Sequence, residues 1–337
     1  MSPHIRRRQQ GLTLIEIMIG LTLSLFMLAG IVQLFVSSKQ TYRSNEGLAR
    51  AQESGRFALE YLANDIRHAG FKGSCTSKVN NLLNPAGTGY DATLFSLDGA
   101  IMGWNNSAGT YSASMVNYAA NTDVILLKHA ATVSGVTASG NTPANANNIN
   151  LTSASGIPAD TILLVADAQG CDIFQNRNAA TANSLSRGNS GDPGNLNPGS
   201  YNFSHAYDSS MEIMRFSSVL YYIGTRTDGM RSLRSIRYDT ATAVEEELVE
   251  GILSMQILYG VDTDGDLAAD GNYRAAGDVT NWENVVAARV CVVSISAESN
   301  VATGNASFDC NGETVTVPAG QVAQMFTTTV GLRNRLP

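Results

Sequence analysis

The most pronounced pattern in the chain is an apolar run near its start. From Leu12 to Val36 the residues are uncharged except for a single glutamate, Glu16. A helix that rises about 1.5 Å per residue needs roughly 20 residues to cross a bilayer, and this run has about 25. The pattern therefore predicts a membrane-spanning helix that carries one carboxylate near its first turn.

After this run the pattern becomes amphipathic. Apolar and small residues recur at steps of three and four, which marks one face of a helix. They are Leu48, Ala51, Gly55, Ala58, Leu62, Ile66 and Ala69. The spacing predicts one continuous helix from Leu12 to Ala69 with Gly70 as its terminator, so that residues 12–70 form a helical unit. Residues 12–36 of this unit lie in the membrane, and its second half packs on a soluble head.

The remaining residues, 71–337, show the pattern of a β-rich exported head. Short runs rich in valine, isoleucine, tyrosine and threonine predict strands at 122–130, 160–168, 217–225, 232–239, 251–262, 283–296 and 324–334. Two polar stretches, 138–156 and 178–200, predict long surface loops because they are rich in turn-forming residues. The predicted fold class is α+β, with an antiparallel sheet laid over the amphipathic half of the long helix.

Charge excludes one class of partner and sets the orientation of the span. The formal net charge is −7, and outside Arg6, Arg7 and Arg8 no run rich in lysine or arginine occurs. Nucleic acid is therefore not an expected partner, since phosphate binding needs a clustered basic surface. The arginine block before the span is expected to stay in the cytoplasm, which places the head on the outer side of the membrane.

Glu16 decides between three interpretations of the N-terminus. The apolar run is longer than the core of a secretory signal peptide, and no clear small-residue cleavage site follows it. A plain membrane anchor fits the length but leaves Glu16 without a role, because a carboxylate in a hydrocarbon span costs on the order of 2–3 kcal/mol. The third interpretation is that Glu16 has a partner.

The N-terminus resembles the class III leader of type IV pilins and pseudopilins. In that family a basic stretch ends in glycine, and the mature chain begins with a hydrophobic residue and has glutamate at its fifth position. Here Gly11, Leu12 and Glu16 occupy those places, although the commoner first residue is phenylalanine. The resemblance implies that a prepilin peptidase removes residues 1–11 and methylates the amine of Leu12. The new amine can then pair with Glu16 of an adjacent subunit.

Longer segments resemble the PilW family of minor pilins. They are the end of the amphipathic helix with its exit (52–75), the segments 252–266 and 282–296, and residues 325–335. The resemblance implies a pilin-like fold, in which residues 12–36 lie in the membrane or the filament core, and a structural role without catalysis. It also implies other minor pilins, the major pilin and a pilus tip protein as partners. The expected location is the inner membrane, with a periplasmic head, before assembly and the pilus at the cell surface afterwards.

Three functions remain open at this level. The first is a minor pilin that primes type IV pilus assembly and lies at or near the tip, where it would serve adhesion and twitching motility. The second is a pseudopilin of a type II secretion system, which uses the same leader and fold. The third is a membrane-anchored adhesin or calcium-binding module that never enters a filament, for which the bond between Gly11 and Leu12 would remain uncut.

Four cysteines are expected to form two disulfides, because the head lies in an oxidising compartment. Three pairings of Cys75, Cys171, Cys291 and Cys310 are possible. Cys291 lies in a predicted strand and Cys310 follows a loop that can return as a hairpin. This favours a Cys291–Cys310 pair, and Cys75–Cys171 would then tie the helix exit to the inserted region. The chain has no Cys-x-x-Cys spacing, so a zinc site is not expected.

An acidic loop is the strongest candidate for chemistry. Asp262, Asp264, Asp266 and Asp270 stand at positions 1, 3, 5 and 9 of a segment that follows a predicted strand. Alternating carboxylates can converge on Ca²⁺, with the main-chain carbonyl of Ala268 as a further ligand. The loop departs from an EF-hand because glycine is at position 4, and Asp and Gly are also ordinary turn residues. A calcium site and an acidic turn both remain open, and no cofactor is expected to be required.

Catalytic residues are not predicted. The chain has no nucleophile elbow, zinc-protease motif or phosphate-binding loop. His68, His129 and His205 have no neighbouring carboxylate or cysteine pattern in the sequence that would indicate a catalytic base.

Overall fold

The structure is a computed structural model that describes residues 11–240, 242–302, 304 and 306–335. Its helices are α1 (Leu14–His68) and the short α2 (Ala92–Phe95). Its strands are β1 (Asn80–Asn81), β2 (Ile101–Trp104), β3 (Val124–Thr132), β4 (Asn148–Asn150), β5 (Ile162–Ala166), β6 (Cys171–Gln175), β7 (Ser184–Ser186), β8 (Glu212–Thr225), β9 (Arg231–Arg237), β10 (Val244–Glu250), β11 (Ile252–Val261), β12 (Val285–Ile295), β13 (Ser307–Cys310), β14 (Glu313–Thr316) and β15 (Ala323–Gly331).

Helix α1 is continuous over 55 residues, as the sequence pattern predicts. Its first half is exposed, and the buried positions of its second half are Gly47, Ala51, Gly55, Ala58, Leu62, Ala63 and Ile66. The helix ends at His68 with Ala69 as its C-cap, and Gly70 follows with a φ of 79°, a left-handed conformation that suits glycine after a helix. The Gly70 amide donates a hydrogen bond to the Lys128 carbonyl, which fixes the exit of the helix against β3.

A three-stranded antiparallel sheet, in the order β11-β12-β15, packs on the second half of α1. The contact is close because two helical positions carry no side chain. A Cβ at Gly55 would lie 2.3 Å from Cε2 of Phe326, and one at Gly47 would lie 3.1 Å from Cβ of Ser296. The glycines weaken the helix intrinsically, but they also allow β12 and β15 to approach its backbone.

A second, larger sheet packs against the small sheet and the second half of α1. The sequence pattern predicts a single sheet and does not separate the two. Within the described residues it has eight strands, with the path β1-β6-β5-β8-β3-β2 and with β9 between β8 and β10. All its pairings are antiparallel except that of β1 with β6. The confirmed α+β fold therefore has one small sheet on the helix and one large sheet below it.

Strand β3 shows why the large sheet is buried on both faces. Ile125 and Leu127 belong to the core shared with α1 and the small sheet, whereas Val124 and Leu126 belong to a second core on the opposite face. Because successive side chains of a strand point to opposite faces, a strand between two cores is apolar at every position. This accounts for the continuous run of apolar residues from Val124 to Leu127.

The two polar stretches are mostly irregular and at least partly exposed, as predicted, but each contains a three-residue strand that the pattern does not predict. Residues 148–150 and 184–186 pair as strands β4 and β7, and Ile149 and Leu185 are fully buried. They form a separate core with Phe174 of β6 and with Phe203 and Tyr207 of the following segment. A few well-placed apolar residues thus fold this polar region into a layer on β5 and β6.

The disulfides follow the pairing that the sequence favours. Cys75 pairs with Cys171, which ties the segment after α1 to the start of β6. Cys291 pairs with Cys310, which ties the central strand of the small sheet to the β13–β14 hairpin.

Candidate functional sites

The predicted processing site lies at the exposed start of the described chain. Gly11 and Leu12 precede α1 and are both exposed, while Arg6, Arg7 and Arg8 lie outside the described residues. Cleavage between Gly11 and Leu12 therefore stays a prediction from the sequence.

Glu16 takes part in a hydrogen-bonded cap at the start of α1. Its Oε2 accepts hydrogen bonds from the backbone amide and the hydroxyl of Thr13, each at 2.9 Å. The Glu16 amide in turn donates to the Thr13 hydroxyl, which completes a capping box. The sequence analysis missed the role of Thr13, although a threonine three residues before a glutamate is a recognisable start of a helix.

The hydrogen bonds of the cap leave the negative charge of Glu16 uncompensated in an apolar segment. The surrounding residues from Leu14 to Val36 are mostly apolar and are exposed, including Leu14 at 78%, Phe26 at 75% and Leu34 at 72%. The described helix is long and apolar enough to cross a membrane. In such a span a neutral threonine satisfies hydrogen bonds of the carboxylate but does not compensate its charge.

The aspartate loop brings together three of its four predicted ligands. Carboxylate oxygens of Asp262, Asp264 and Asp270 lie within 4.8 Å of one another, and Asp266 does not belong to this group. Asp262 is buried, Asp264 is exposed and Asp270 is intermediate. The loop thus offers a smaller set of carboxylates than the spacing suggests.

Backbone amides of the loop already donate hydrogen bonds to the carboxylates of Asp262 and Asp270. Asp262 Oδ1 accepts from the amide of Gly265 at 2.7 Å, and its Oδ2 accepts from the amide of Leu267 at 3.0 Å. Asp270 Oδ2 accepts from the amide of Thr263 at 2.6 Å, and the hydrogen bonds from Thr263 lower the pKa of Asp270. These contacts are those of a stable acidic turn, and calcium binding stays a prediction.

The fold brings carboxylates to two histidines that are isolated in the sequence. His205 Nε2 lies 2.8 Å from Asp167 Oδ2, and its Nδ1 lies 3.0 Å from the Ser204 hydroxyl. The order serine, histidine, aspartate resembles a hydrolase triad, but the Ser204 hydroxyl donates to Asp172 Oδ2 at 2.8 Å. These contacts tie the β5–β6 turn to the segment around Ser204.

The second pair joins α1 to the large sheet. His129 Nε2 on β3 lies 2.8 Å from Asp65 Oδ1 on α1, and the hydroxyl of Tyr221 on β8 donates to Asp65 Oδ2 at 3.0 Å. Burial alone would lower the pKa of His129, but the hydrogen bond and the charge of Asp65 outweigh it and raise the pKa. This contact holds the end of the helix on the head.

Comparison with known protein families gives one match near each end of the chain. The prokaryotic N-terminal methylation motif matches residues 6–32, and the family of the type IV pilus-assembly protein W, PilW, matches residues 220–334. No curated protein and no solved structure gives a significant match. The first match covers Gly11, Leu12, Glu16 and the start of α1, and the second covers the small sheet that packs on α1. Together they confirm the resemblance found in the sequence and support a type IV pilin of the PilW family.

Proposed function

We propose that this protein is a minor pilin that primes type IV pilus assembly and lies at or near the pilus tip. The observation that carries the proposal is the first half of α1, which is apolar, exposed and marked by Glu16 at the fifth position after Gly11. A helix of this kind first resides in the membrane and then exchanges lipid for the corresponding helices of other subunits. In both settings Glu16 needs a positive partner, and the N-terminal amine of a neighbouring pilin provides one.

The PilW match supports a pilus in preference to a secretion system, since the matched family is described by its part in type IV pilus assembly. The head supports a position near the tip. The layer built on β4 and β7, together with the segment 203–207, is an additional core beyond the two that flank the large sheet. A broad head is easier to accommodate where the filament ends than where subunits surround it on all sides. Other minor pilins, the major pilin and a tip protein are the proposed neighbours.

Substitution of Glu16 tests whether α1 is an assembly element. Glu16→Ala removes a charge from the span, so we expect the variant to remain in the inner membrane but to be lost from sheared pili and to restore piliation poorly in a deletion strain. Thr13→Val is the matched control, because it removes the hydroxyl of the capping box and keeps the carboxylate. Equal loss of pili in both variants, or normal pili with Glu16→Ala, would contradict a role of Glu16 in assembly beyond its capping of the helix.

The proposed position needs its own measurement. Gold-labelled antibodies against the head should mark the ends of sheared pili. Labels distributed evenly along the shafts would contradict the tip position, and the Glu16 result would still stand.

A further inference from the structure

Strand β15 is the outer strand of the small sheet, and the register shows which of its backbone groups are unused. At one end of the ladder the Ser296 amide donates to the Val322 carbonyl at 2.8 Å, and at the other the Leu332 amide donates to the Val286 carbonyl at 2.9 Å. Between them the pairing of β12 with β15 has no register shift. Even-numbered residues of β15 therefore bond to β12, and the odd-numbered residues direct their backbone groups outward.

Five residues form this free edge: Ala323, Met325, Thr327, Thr329 and Gly331. In the part of the chain that the structure describes, no backbone amide or carbonyl of these five residues has a hydrogen-bond partner. The edge is about 30 Å long at 3.3 Å per residue, which is sufficient for a complete strand.

The opposite edge of the same sheet is closed by the rest of the head. On β11 the Met255 carbonyl accepts from the Asp123 amide at 2.9 Å, and the Ile257 amide donates to Asp123 Oδ2 at 2.7 Å. Tyr259 exchanges two backbone hydrogen bonds with Arg274. The small sheet is thus finished on the β11 side and open on the β15 side.

The other outer strand of comparable length is protected by charge. Among the described residues strand β10 pairs with β9 alone, and it carries four glutamates, which form ion pairs with three arginines, Arg226, Arg234 and Arg237. Charged side chains on an outer strand discourage pairing with another chain. Strand β15 has no charged residue and no proline between Ala323 and Gly331, so it lacks this protection.

We propose that the free edge of β15 binds an extended strand from the head of a neighbouring pilin, which continues the small sheet from one subunit into the next. The inference rests on the proposed function, because a neighbouring pilin is present only in an assembly. It also follows from position: Phe326 of β15 packs on Gly55 of α1, and the exposed first half of that helix is the assembly segment. Subunits that associate along α1 therefore bring a second head to this side of the sheet.

The edge indicates the chemistry of the strand that it accepts. Met325, Thr327 and Thr329 are exposed on the face of the sheet away from α1, and they suit β-branched or aliphatic side chains on the added strand. The charged side chain that contacts this face is Arg289, whose Nε lies 3.5 Å from the Thr329 hydroxyl. A strand that has one carboxylate near Thr329 and is otherwise uncharged would complement it. Backbone hydrogen bonds supply affinity in this mode of binding, and side chains supply specificity.

Proline substitution separates the free edge from the fold. Thr327→Pro removes an outward amide and leaves the inward hydrogen bonds to β12 in place, whereas Thr327→Val changes the side chain and keeps the amide. We expect recovery of Thr327→Pro in sheared pili to fall by about tenfold, and recovery of Thr327→Val to be close to that of the unmodified protein. Equal recovery of all three would overturn the proposal.

Cross-linking in the unperturbed fold provides a second arm, in case Thr327→Pro fails to fold. A photoreactive residue is placed at Thr327 in the full chain in cells. Tyr201, a half-exposed residue whose carbonyl accepts from Arg187 next to β7, is the matched control, and Leu25 of α1 is the assembly control. We expect Thr327 and Leu25 to cross-link to another pilin and Tyr201 to give no such product.

Cross-links from Leu25 without any from Thr327 would overturn the edge proposal alone. Cross-links from Thr327 to a second copy of this chain would replace the proposed partner. Absence of products at both Leu25 and Thr327 would overturn the proposed function and this inference with it.

Discussion

A single buried carboxylate, that of Asp123, joins the two sheets. Asp123 is only 2% exposed, and its two oxygens accept hydrogen bonds from the amides of Asn106 and Ile257 at 2.8 and 2.7 Å. It therefore connects the start of β3 in the large sheet to the outer edge of β11 in the small sheet. Burial raises the pKa of Asp123 to about 6, although both hydrogen bonds act in the opposite direction.

The raised pKa of Asp123 gives a pH dependence of defined sign. The folded state binds this proton more tightly than the unfolded state, whose aspartate has the ordinary pKa of 3.8. The contribution of Asp123 to the free energy of unfolding is therefore largest below about pH 4 and decreases until about pH 6, by on the order of 2–3 kcal/mol. We expect this decrease in the difference between unmodified protein and Asp123→Asn, measured by thermal melts from pH 4 to 8. A constant difference over that range would show that Asp123 titrates normally.

The sequence predicted residues whose partners are close along the chain and missed those whose partners are distant. Glu16 was found because an isolated carboxylate in an apolar run is visible in the sequence alone. His129 and Asp65 are 64 positions apart, and Asp123 and Ile257 are 134 positions apart. Only the pairing of β3 and β8, and their packing on α1 and β11, brings such residues together.

Among the elements, strands with a strong apolar pattern were predicted well. Strands β3, β8, β11 and β12 fall within or overlap the predicted ranges, because they are buried over most of their length. Strand β10 was missed since its sequence, VEEELVE, is largely polar and exposed. The arginines of β9 and of the turn before it, which neutralise these glutamates, become neighbours only when the two strands pair.

The contact between α1 and β15 predicts a cost for filling Gly55. Alanine favours the helix by up to about 1 kcal/mol, but its methyl group would overlap Phe326, and overpacking typically costs 1–3 kcal/mol. We expect Gly55→Ala to lower the melting temperature of the full chain in detergent. Adding Phe326→Leu should recover part of the loss, because the shorter side chain vacates the space. A higher melting temperature for Gly55→Ala would show that the ring moves without penalty.

A calcium site in the aspartate loop would depend on Asp264 but not on Asp266. If the loop binds Ca²⁺, calcium at 100 times its Kd raises the free energy of unfolding by about 2.7 kcal/mol. Asp264→Ala should abolish the resulting rise in melting temperature, whereas Asp266→Ala, which lies outside the group of three carboxylates, should retain it. Identical melts of the unmodified protein in chelator and in millimolar calcium would identify the loop as an acidic turn.

At the scale of the whole molecule, the chain combines a helix whose apolar first half is exposed with a folded head. Four groups of buried apolar residues fill the head, and the first of them includes the second half of α1. The first half of α1 makes no comparable contacts with the rest of the described chain. The head therefore buries its own apolar residues, whereas the apolar first half of α1 stays exposed in the described chain.

The central claim is tested most directly by the mass of the N-terminal peptide of the protein recovered from sheared pili. If the chain is a processed pilin, the peptide begins with N-methylated Leu12, and replacement of Gly11 by a bulky residue leaves full-length precursor in the membrane. A peptide that begins at Met1 or Ser2 in assembled filaments, or a precursor that is never cut, would contradict the assignment of this protein as a pilin subunit.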